Sequence, residues 1–562
     1  MTCYFRSLTG VLIATACAAL ALTGCAGAPA APAAATPAPE ANAGPAQPKV
    51  NRLVMALEPT PSESNELRMV SGTNITVFRP MYDYPISMDL KTGRLSPWLA
   101  SAWSLEPDNL SYRVKLKSGV QFHHGWGEYT AKDLVEMWKD IASPGALHGN
   151  TTYWRGAVAD VQVVNDYELI YHLTKADGQF LTALSDTQAG MEVRSKAQFD
   201  KEGRPAKLSQ AQDGTGPYQF VAREQSAYMR FERTANPHWS GVRPDFPEFE
   251  FRFMKEPSTR LAALLSGEAQ MAALPEDLMQ QANTRTMKTL RGVFPGTRAY
   301  VTPYCCYMKD DNNPAAGWVY PDSPLLDPKV RQALNKAVNR DEMNKAFFGG
   351  KGELMYNNHF HPSRDGWDPA WQAKFQANYG YDLPAAKKLL EEAGYGPGKP
   401  LRTTLDLQPV SGIAAGNDIA EAIAGYWRTA GVTVDLVTVD SAEFTRLNRE
   451  LKYQNDWVVR GTGSNPWVGV TLHTSNLYNK NGGAGAAGLN DALLKLTAAM
   501  DPTKRDDLWR NLGNVLFDNY LYVNLFWLPA EVEVNPAIVA GWSFPGSLTG
   551  TWSHFQNIRA AR

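Results

Sequence analysis

The first clear unit in the chain is a strand followed by a helix. Tyr112, Val114 and Leu116 alternate with Arg113, Lys115 and Lys117, the period of two that a half-buried strand requires, and Gly119 ends the run. Thr130 and Asp133 have the spacing of a capping box, and Leu134, Trp138 and Ile141 recur at helical intervals to give one apolar face. The two periods then trade places along the chain. Phe231 to Arg233 reads as a strand ending at the Asn236-Pro237 turn, and Phe249, Phe251 and Phe253 alternate again. Thr259 to Ser266 reads as a helix closed by Gly267, and Asp327-Pro328 opens another with Val330, Leu334, Ala337 and Val338 on one side. Asp382 to Ala393 is a capped helix ending at Gly394. Ile419, Ile423, Trp427 and Ala430 form a helix stopped by Gly431, after which Val432, Val434 and Leu436 resume strand alternation. No period of a solenoid repeat is present, and the Gly/Ala-rich run from Gly482 to Gly488 reads as a connector. Helices alternating with short strands over the whole length predict an α/β protein with several sheets.

The first fifty residues follow neither period. Arg6 precedes an apolar run from Val11 to Ala21 that is too short for a permanent membrane span and leads into Leu22-Thr23-Gly24-Cys25. This pattern resembles a bacterial lipobox and implies that residues 1–24 are a cleaved signal and that Cys25 carries a lipid. Residues 25–50 are mostly Ala, Pro and Gly, with too few large apolar groups to offset the entropy of ordering, and predict an extended tether. The expected location is extracytoplasmic, on the periplasmic or cell-surface side of a bacterial membrane, with the lipid as the sole membrane contact. Ala26 rather than Asp follows the cysteine, and inner or outer membrane both stay open.

Composition narrows the function. A chain of 562 residues exceeds what one hydrophobic core holds, so two or more lobes are expected. A net charge of −2 without a basic block argues against nucleic acid as a partner. The 16 Trp, 23 Tyr and 21 Phe chiefly fill cores, and in an exported protein some of the surplus lines a ligand cleft. Of five cysteines only Cys305 and Cys306 remain in the folded body, which gives no disulfide framework and no metal-ligand spacing. His123 and His124, read as strand neighbours, point to opposite faces. His359 and His361 share a face but have no acidic partner close in sequence, so neither a metal nor another cofactor is expected. The motifs His-Glu-x-x-His, Gly-x-Ser-x-Gly, Ser-x-x-Lys and the phosphate-binding loop are absent, which argues against an exported hydrolase and against catalysis of any kind.

An ordered series of motifs then carries a family resemblance. It runs through Leu95-Ser96-Pro97-Trp98-Leu99-Ala100-Ser101-Ala102-Trp103, Tyr112 to His123, Thr130-Ala131-Lys132-Asp133-Leu134, Gly214-Thr215-Gly216-Pro217-Tyr218 and Asn236-Pro237-His238-Trp239. It continues with Leu264-Leu265-Ser266-Gly267-Glu268, Asp327 to Leu334, Tyr381-Asp382 and Ala393-Gly394-Tyr395. From Leu53 onward the chain resembles the family 5 extracellular solute-binding proteins, the peptide- and nickel-binding components of ABC importers. Each landmark also has a local reading as a turn, strand end or helix start, so the series reports scaffold rather than ligand.

The resemblance implies a two-lobed periplasmic-binding-protein fold with an extra domain on lobe one. Lobe one would comprise 51–80, 212–295 and 526–562, the extra domain 81–211, and lobe two 296–525. The implied function is capture of a small organic solute, peptide-like or other, by a monomer and its delivery to an ABC permease. A sensory or chaperone-like binding protein of the same fold would have the same cleft. Peptide binders of the family usually place an aspartate on lobe two against the ligand's amine. In the stretch Trp457 to Trp467, Thr462 stands at that position and the nearest charge is Arg460, which suits a carboxylate or phosphate better than an ammonium. Trp467, Trp318, Tyr82 and Tyr84 are candidate lining residues. Cys305 and Cys306 can close a vicinal disulfide ring beside the cleft.

Overall fold

The computed structural model describes residues 48–60, 63–71, 74–187, 190–310, 314–408, 410, 413, 415–463, 488–546 and 552–562. Cys25, Trp467, the signal, nearly all of the tether and the connector up to 487 lie outside the described residues, and of Thr462 only the backbone is described. The elements expected from periodicity are present at Ser111–Leu116, Ala131–Ala142, Tyr228–Arg233, Glu248–Phe253, Pro257–Ser266, Pro328–Lys336, Leu383–Glu392, Gly416–Thr429 and Thr433–Thr438. Their caps are those the sequence offers. Thr130 and Asp133 form the reciprocal box, Asp327 and Asp382 accept from backbone amides, and Gly267 ends its helix at φ 80°.

One correction concerns His123 and His124, which do not lie on a strand. They form a short 3-10 turn in which His124 has φ 51°, followed by Gly125 and Gly127 in the left-handed region. The glycines let the chain reverse, so the two rings serve different partners. His123 Nε2 meets the Gly216 carbonyl at 2.8 Å, and His124 Nδ1 pairs with Asp213 at 2.9 Å.

A mixed sheet of eleven strands forms the spine. Across it the strands run Thr433–Thr438, Arg402–Leu407, Asp456–Gly463, Lys288–Tyr304, Val523–Val534, Met271–Ala272, Arg52–Leu57, Glu248–Phe253, Tyr228–Arg233 and Tyr218–Glu224, with Glu353–Leu354 added beside Val523–Val534. A separate four-stranded antiparallel sheet holds Ala100–Leu105, Ser111–Leu116, Glu168–Leu173 and Val158–Asn165, with helix Ala131–Ala142 sharing its core.

Two large cores flank the middle of the spine. The first gathers Leu53, Met55, Phe249, Phe251, Leu134 and Trp154, and the second gathers Leu334, Ile423, Trp427 and Trp457. The long antiparallel strands Lys288–Tyr304 and Val523–Val534 belong to both. Leu290, Ala530, Val532 and Val534 enter the first core, while Ala299, Val301, Val523, Leu525 and Phe526 enter the second. Two paired strands that donate opposite ends to different cores are a hinge in construction, since bending them need not unpack either core.

Candidate functional site

The crossing strands set the register of the residues between the two cores. Arg298 lies opposite Trp527 on one side and Thr462 on the other, and Tyr300 lies opposite Arg460. Arg460 extends over Phe444, with its guanidinium carbon 5.2 Å from the ring centroid. The Tyr304 hydroxyl, opposed by burial and helped by Tyr300 and Tyr453, holds its pKa above the ordinary arginine value. No carboxylate of the described residues forms an ion pair with it. Arg460 is therefore a cation in an aromatic and phenolic setting, at the end of the spine that serves the second core.

Cys305 and Cys306 are joined to each other, as the sequence allowed. Both are buried in the second core, and Cys306 turns the chain with φ 56° as it leaves the long strand. Trp318 follows in the next loop, half-buried and bridged through its backbone to Met308. Tyr82 and Tyr84 are placed elsewhere, in the first half. The Tyr82 hydroxyl donates to the Gln212 carbonyl at 2.5 Å, and that of Tyr84 to Glu192 at 3.0 Å, with Arg79 over the Tyr84 ring at 4.5 Å. Both line a cavity of about 30 Å³, room for about one water, together with Arg79, Asp83, Trp98 and Asp186.

Asp83 at this cavity draws several of the landmark motifs together. Its Oδ1 accepts from Trp98 Nε1 at 2.7 Å, and its Oδ2 from Thr215 (2.9 Å), His238 Nε2 (2.9 Å) and Trp239 Nε1 (2.8 Å). Burial would raise its pKa, but the charge and hydrogen bond of His238 with the two indole donors bring it below the usual carboxylate value. Residues from three landmark motifs thus converge on one buried carboxylate, which makes them a structural lock on the first half.

The second half carries a different cluster, in the loop that follows Glu353–Leu354. His361 Nδ1 meets Ser363 Oγ at 2.7 Å and its Nε2 meets Glu353 at 3.2 Å, while the ring stands edge-on to Trp527 at 5.4 Å. The acidic partner that the sequence did not offer nearby comes from eight residues upstream. Arg364 packs its guanidinium carbon 5.5 Å from the same indole. Next to it Arg298 donates from Nη1 to Asn358 Oδ1 at 3.3 Å and contacts His359 Nδ1. None of these residues was singled out for a role by sequence except the histidines. Among the described residues no group of three His, Cys, Asp or Glu is placed to hold a metal ion.

This loop also touches the first half. Arg94, in the turn between Ile86–Met88 and Leu95–Pro97, pairs with Asp365 at 2.9 Å and with Asp506 at 3.7 Å. Nearby, the Gly178 amide donates to Thr497 O at 2.9 Å, and a Cβ at Gly178 would lie 2.6 Å from Ala499 O. The segment 81–211 is thereby laid against helices Leu489–Ala498 and Pro502–Asp518. Among the described residues no helix is long and apolar enough to cross a membrane.

Comparison with known proteins places this arrangement. The family of bacterial extracellular solute-binding proteins, family 5 Middle, matches residues 94–484. The dipeptide-binding protein of Escherichia coli is 27% identical over 446 residues, covering 75% of this chain and 77% of that protein. Heme-binding protein A of Haemophilus influenzae is 25% identical over 462 residues, covering 77% and 78%. In structure, HbpA2 from Haemophilus parasuis superposes with a TM-score of 0.74 at 22% identity, covering 91% of this chain and 100% of that one. The fold is the two-lobed periplasmic-binding fold, and the protein binds rather than catalyses. The chain belongs to the bacterial extracellular solute-binding proteins of family 5.

Proposed function

We propose that this protein captures a peptide-like or other small organic solute between its two lobes and delivers it to an ABC import permease. The lobes are 51–80 with 212–295 and 526–562, and 296–525, with 81–211 as the extra domain. The observation that carries the reading is the pair of crossing strands, Lys288–Tyr304 and Val523–Val534, each feeding both cores. Contacts to both lobes form only on closure, so a solute shifts the population towards the closed shape that a permease can recognise. We further propose that residues 1–24 are removed and that lipid on Cys25, through the tether 25–50, keeps the binding protein near its membrane partner.

Relatives of this chain bear the names of a dipeptide binder and a heme binder, two unlike ligands on one frame. The solute must therefore be argued from this chain's own residues. The proposed wall comprises Arg460, Thr462, Trp467 and Trp318, backed by the Cys305–Cys306 ring. Tyr82 and Tyr84 are left out, because their hydroxyls are committed inside the first half. With Thr462 where an aspartate would meet an ammonium, carboxylated solutes and amine-blocked peptides should bind better than free-amine peptides.

Native mass spectrometry of protein purified without denaturation identifies what co-purifies, and a thermal-shift panel of peptides and organic acids ranks candidates. A solute at a hundred times its Kd adds about 2.7 kcal/mol to stability. The reading is overturned if no solute both raises the Tm and lowers the radius of gyration in small-angle scattering.

A further inference from the structure

Met500 belongs to one half of the molecule by sequence and to the other by packing. The helices on either side of it, Leu489–Ala498 and Pro502–Asp518, share an apolar cluster of the second half through Leu493, Leu496, Leu512 and Leu516. The Met500 side chain is 6% exposed and joins the first core instead, which also holds Tyr112 and Phe180 of the segment 81–211. Its Sδ accepts the Asp177 N–H at 3.0 Å, and its carbonyl accepts the Tyr112 hydroxyl at 3.4 Å. An unbranched thioether suits an irregular socket of this kind, because its rotatable bonds let it adapt to the walls.

The loop facing Met500 is shaped for the contact. Asp177 Oδ1 accepts from the Gln179 amide at 2.8 Å, a local turn that leaves the Gly178 N–H to donate to Thr497 O at 2.9 Å. A Cβ at Gly178 would meet Ala499 O at 2.6 Å, Arg505 Nε at 3.4 Å and Leu496 O at 3.5 Å. These three nearest atoms all belong to the opposite half. The φ of Gly178 lies outside the left-handed region, so the backbone of its own loop accepts an alanine. What the glycine permits is the approach of the two halves. An added methyl is compatible with the loop alone and incompatible with the seam.

We propose that Met500 and the loop 176–179 form a latch that holds the two halves together before any solute is bound. The proposal rests on the cleft reading above, since a latch matters only where the halves separate. Bending of the crossing strands Lys288–Tyr304 and Val523–Val534 carries 489–518 away from 81–211, so opening must withdraw Met500 from its socket. The links at this point are three hydrogen bonds and one apolar plug, which a hinge motion breaks without unpacking the cores behind them. A solute then meets a closure that is partly prepared. The latched fraction scales the apparent affinity of every solute alike, whatever its chemistry.

The test needs no solute. The full chain is treated with dilute hydrogen peroxide, which transfers one oxygen to an accessible thioether and leaves water, and peptide mapping follows the sulfoxide at Met500. In wild type Met500 should oxidise at least about 5-fold more slowly than a free methionine peptide, and Gly178→Ala should remove most of that protection. Met137, fully buried in the core of 81–211, reports global unfolding and should stay protected in both proteins. The radius of gyration of solute-free protein should rise in Gly178→Ala. Wild-type Met500 reacting as fast as the free peptide overturns the latch. So does unchanged protection, or an unchanged radius of gyration, in folded Gly178→Ala. Should that variant fail to fold, Met500→Ala decides, by a larger radius of gyration and faster hydrogen exchange at the Gly178 amide; unchanged values overturn the proposal. Failure of both variants to fold makes the contact part of the core and overturns it as well. Failure of the cleft reading looks different, because then the latch opens and closes as described while no solute raises the Tm or lowers the radius of gyration.

Discussion

The Asp83 and Arg364 clusters are both buried and charged, yet they are built on opposite terms. Asp83 receives four hydrogen bonds, one from a histidine, so that the ion is better accommodated inside than a neutral acid would be. Arg364 donates none from its three nitrogens, and the charge that acts on it is a second cation, Arg298. A fold keeps a saturated ion for its own integrity. An unsaturated one costs stability. Asp406 shows that the contrast is not simply one of sign. Its Oδ2 is buried without a partner, and burial together with the like charge of Asp456 raises its pKa to about 7. Two aspartates in one chain are thus shifted in opposite directions, Asp83 lowered by His238 and two indole donors, and Asp406 raised because burial and Asp456 outweigh the single phenol of Tyr453.

Removing the saturated ion should have the largest effect. Asp83→Asn leaves His238, Trp98, Trp239 and Thr215 facing a group that cannot accept all their protons, and should lower stability by about 3–5 kcal/mol in urea unfolding. Because its pKa is lowered on folding, the contribution of Asp83 is present above the ordinary carboxylate range and is lost on acidification below it. A loss under about 1 kcal/mol would contradict the lock.

Asp406 predicts the opposite slope. Its folded pKa lies above its unfolded value of 3.8, so stability is greatest at low pH, falls as pH rises from about 4 to 7, and is flat above. At about 1.4 kcal/mol per pKa unit, the decline is on the order of 2–4 kcal/mol before solvent screening. Asp406→Asn should flatten this part of the profile and gain stability at pH 8 relative to wild type. An unchanged profile in the variant would remove Asp406 from the account.

Arg364→Met reverses the sign seen at Asp83. A side chain of similar volume without charge removes an unsatisfied buried cation, and should raise stability by about 1–3 kcal/mol. A fall would mean that Arg364 serves the fold through its packing on Trp527.

The asymmetry between the clusters also explains what the sequence disclosed. Helices and strands were legible because their caps and periods are local, as at Thr130, Asp327 and Gly267. The Asp83 cluster was half legible, since Trp98, Thr215, His238 and Trp239 stand in recognisable motifs, but each read as a turn or strand end until the chain brought them to one carboxylate. His123 and His124 were placed on a strand although Gly125 and Gly127 signal reversal. Arg364 had no local signature at all. It sits in an aperiodic loop, and its interest comes from the acceptors missing around it. The two-residue strand carrying Glu353, the partner of His361, is likewise too short to show a period.

The smallest stability effect belongs to Arg94, and it sharpens the comparison most closely. Arg94 and Asp365 pair at 2.9 Å with side chains 62% and 51% exposed, so Arg94→Ala should cost less than about 1 kcal/mol, and less still in high salt. Asp365→Asn should cost no more than Arg94→Ala, and the two changes together no more than either alone, because they remove one shared interaction. A double variant that loses the sum of both single effects would show that Arg94 acts through Asp506, 3.7 Å away, and not through Asp365.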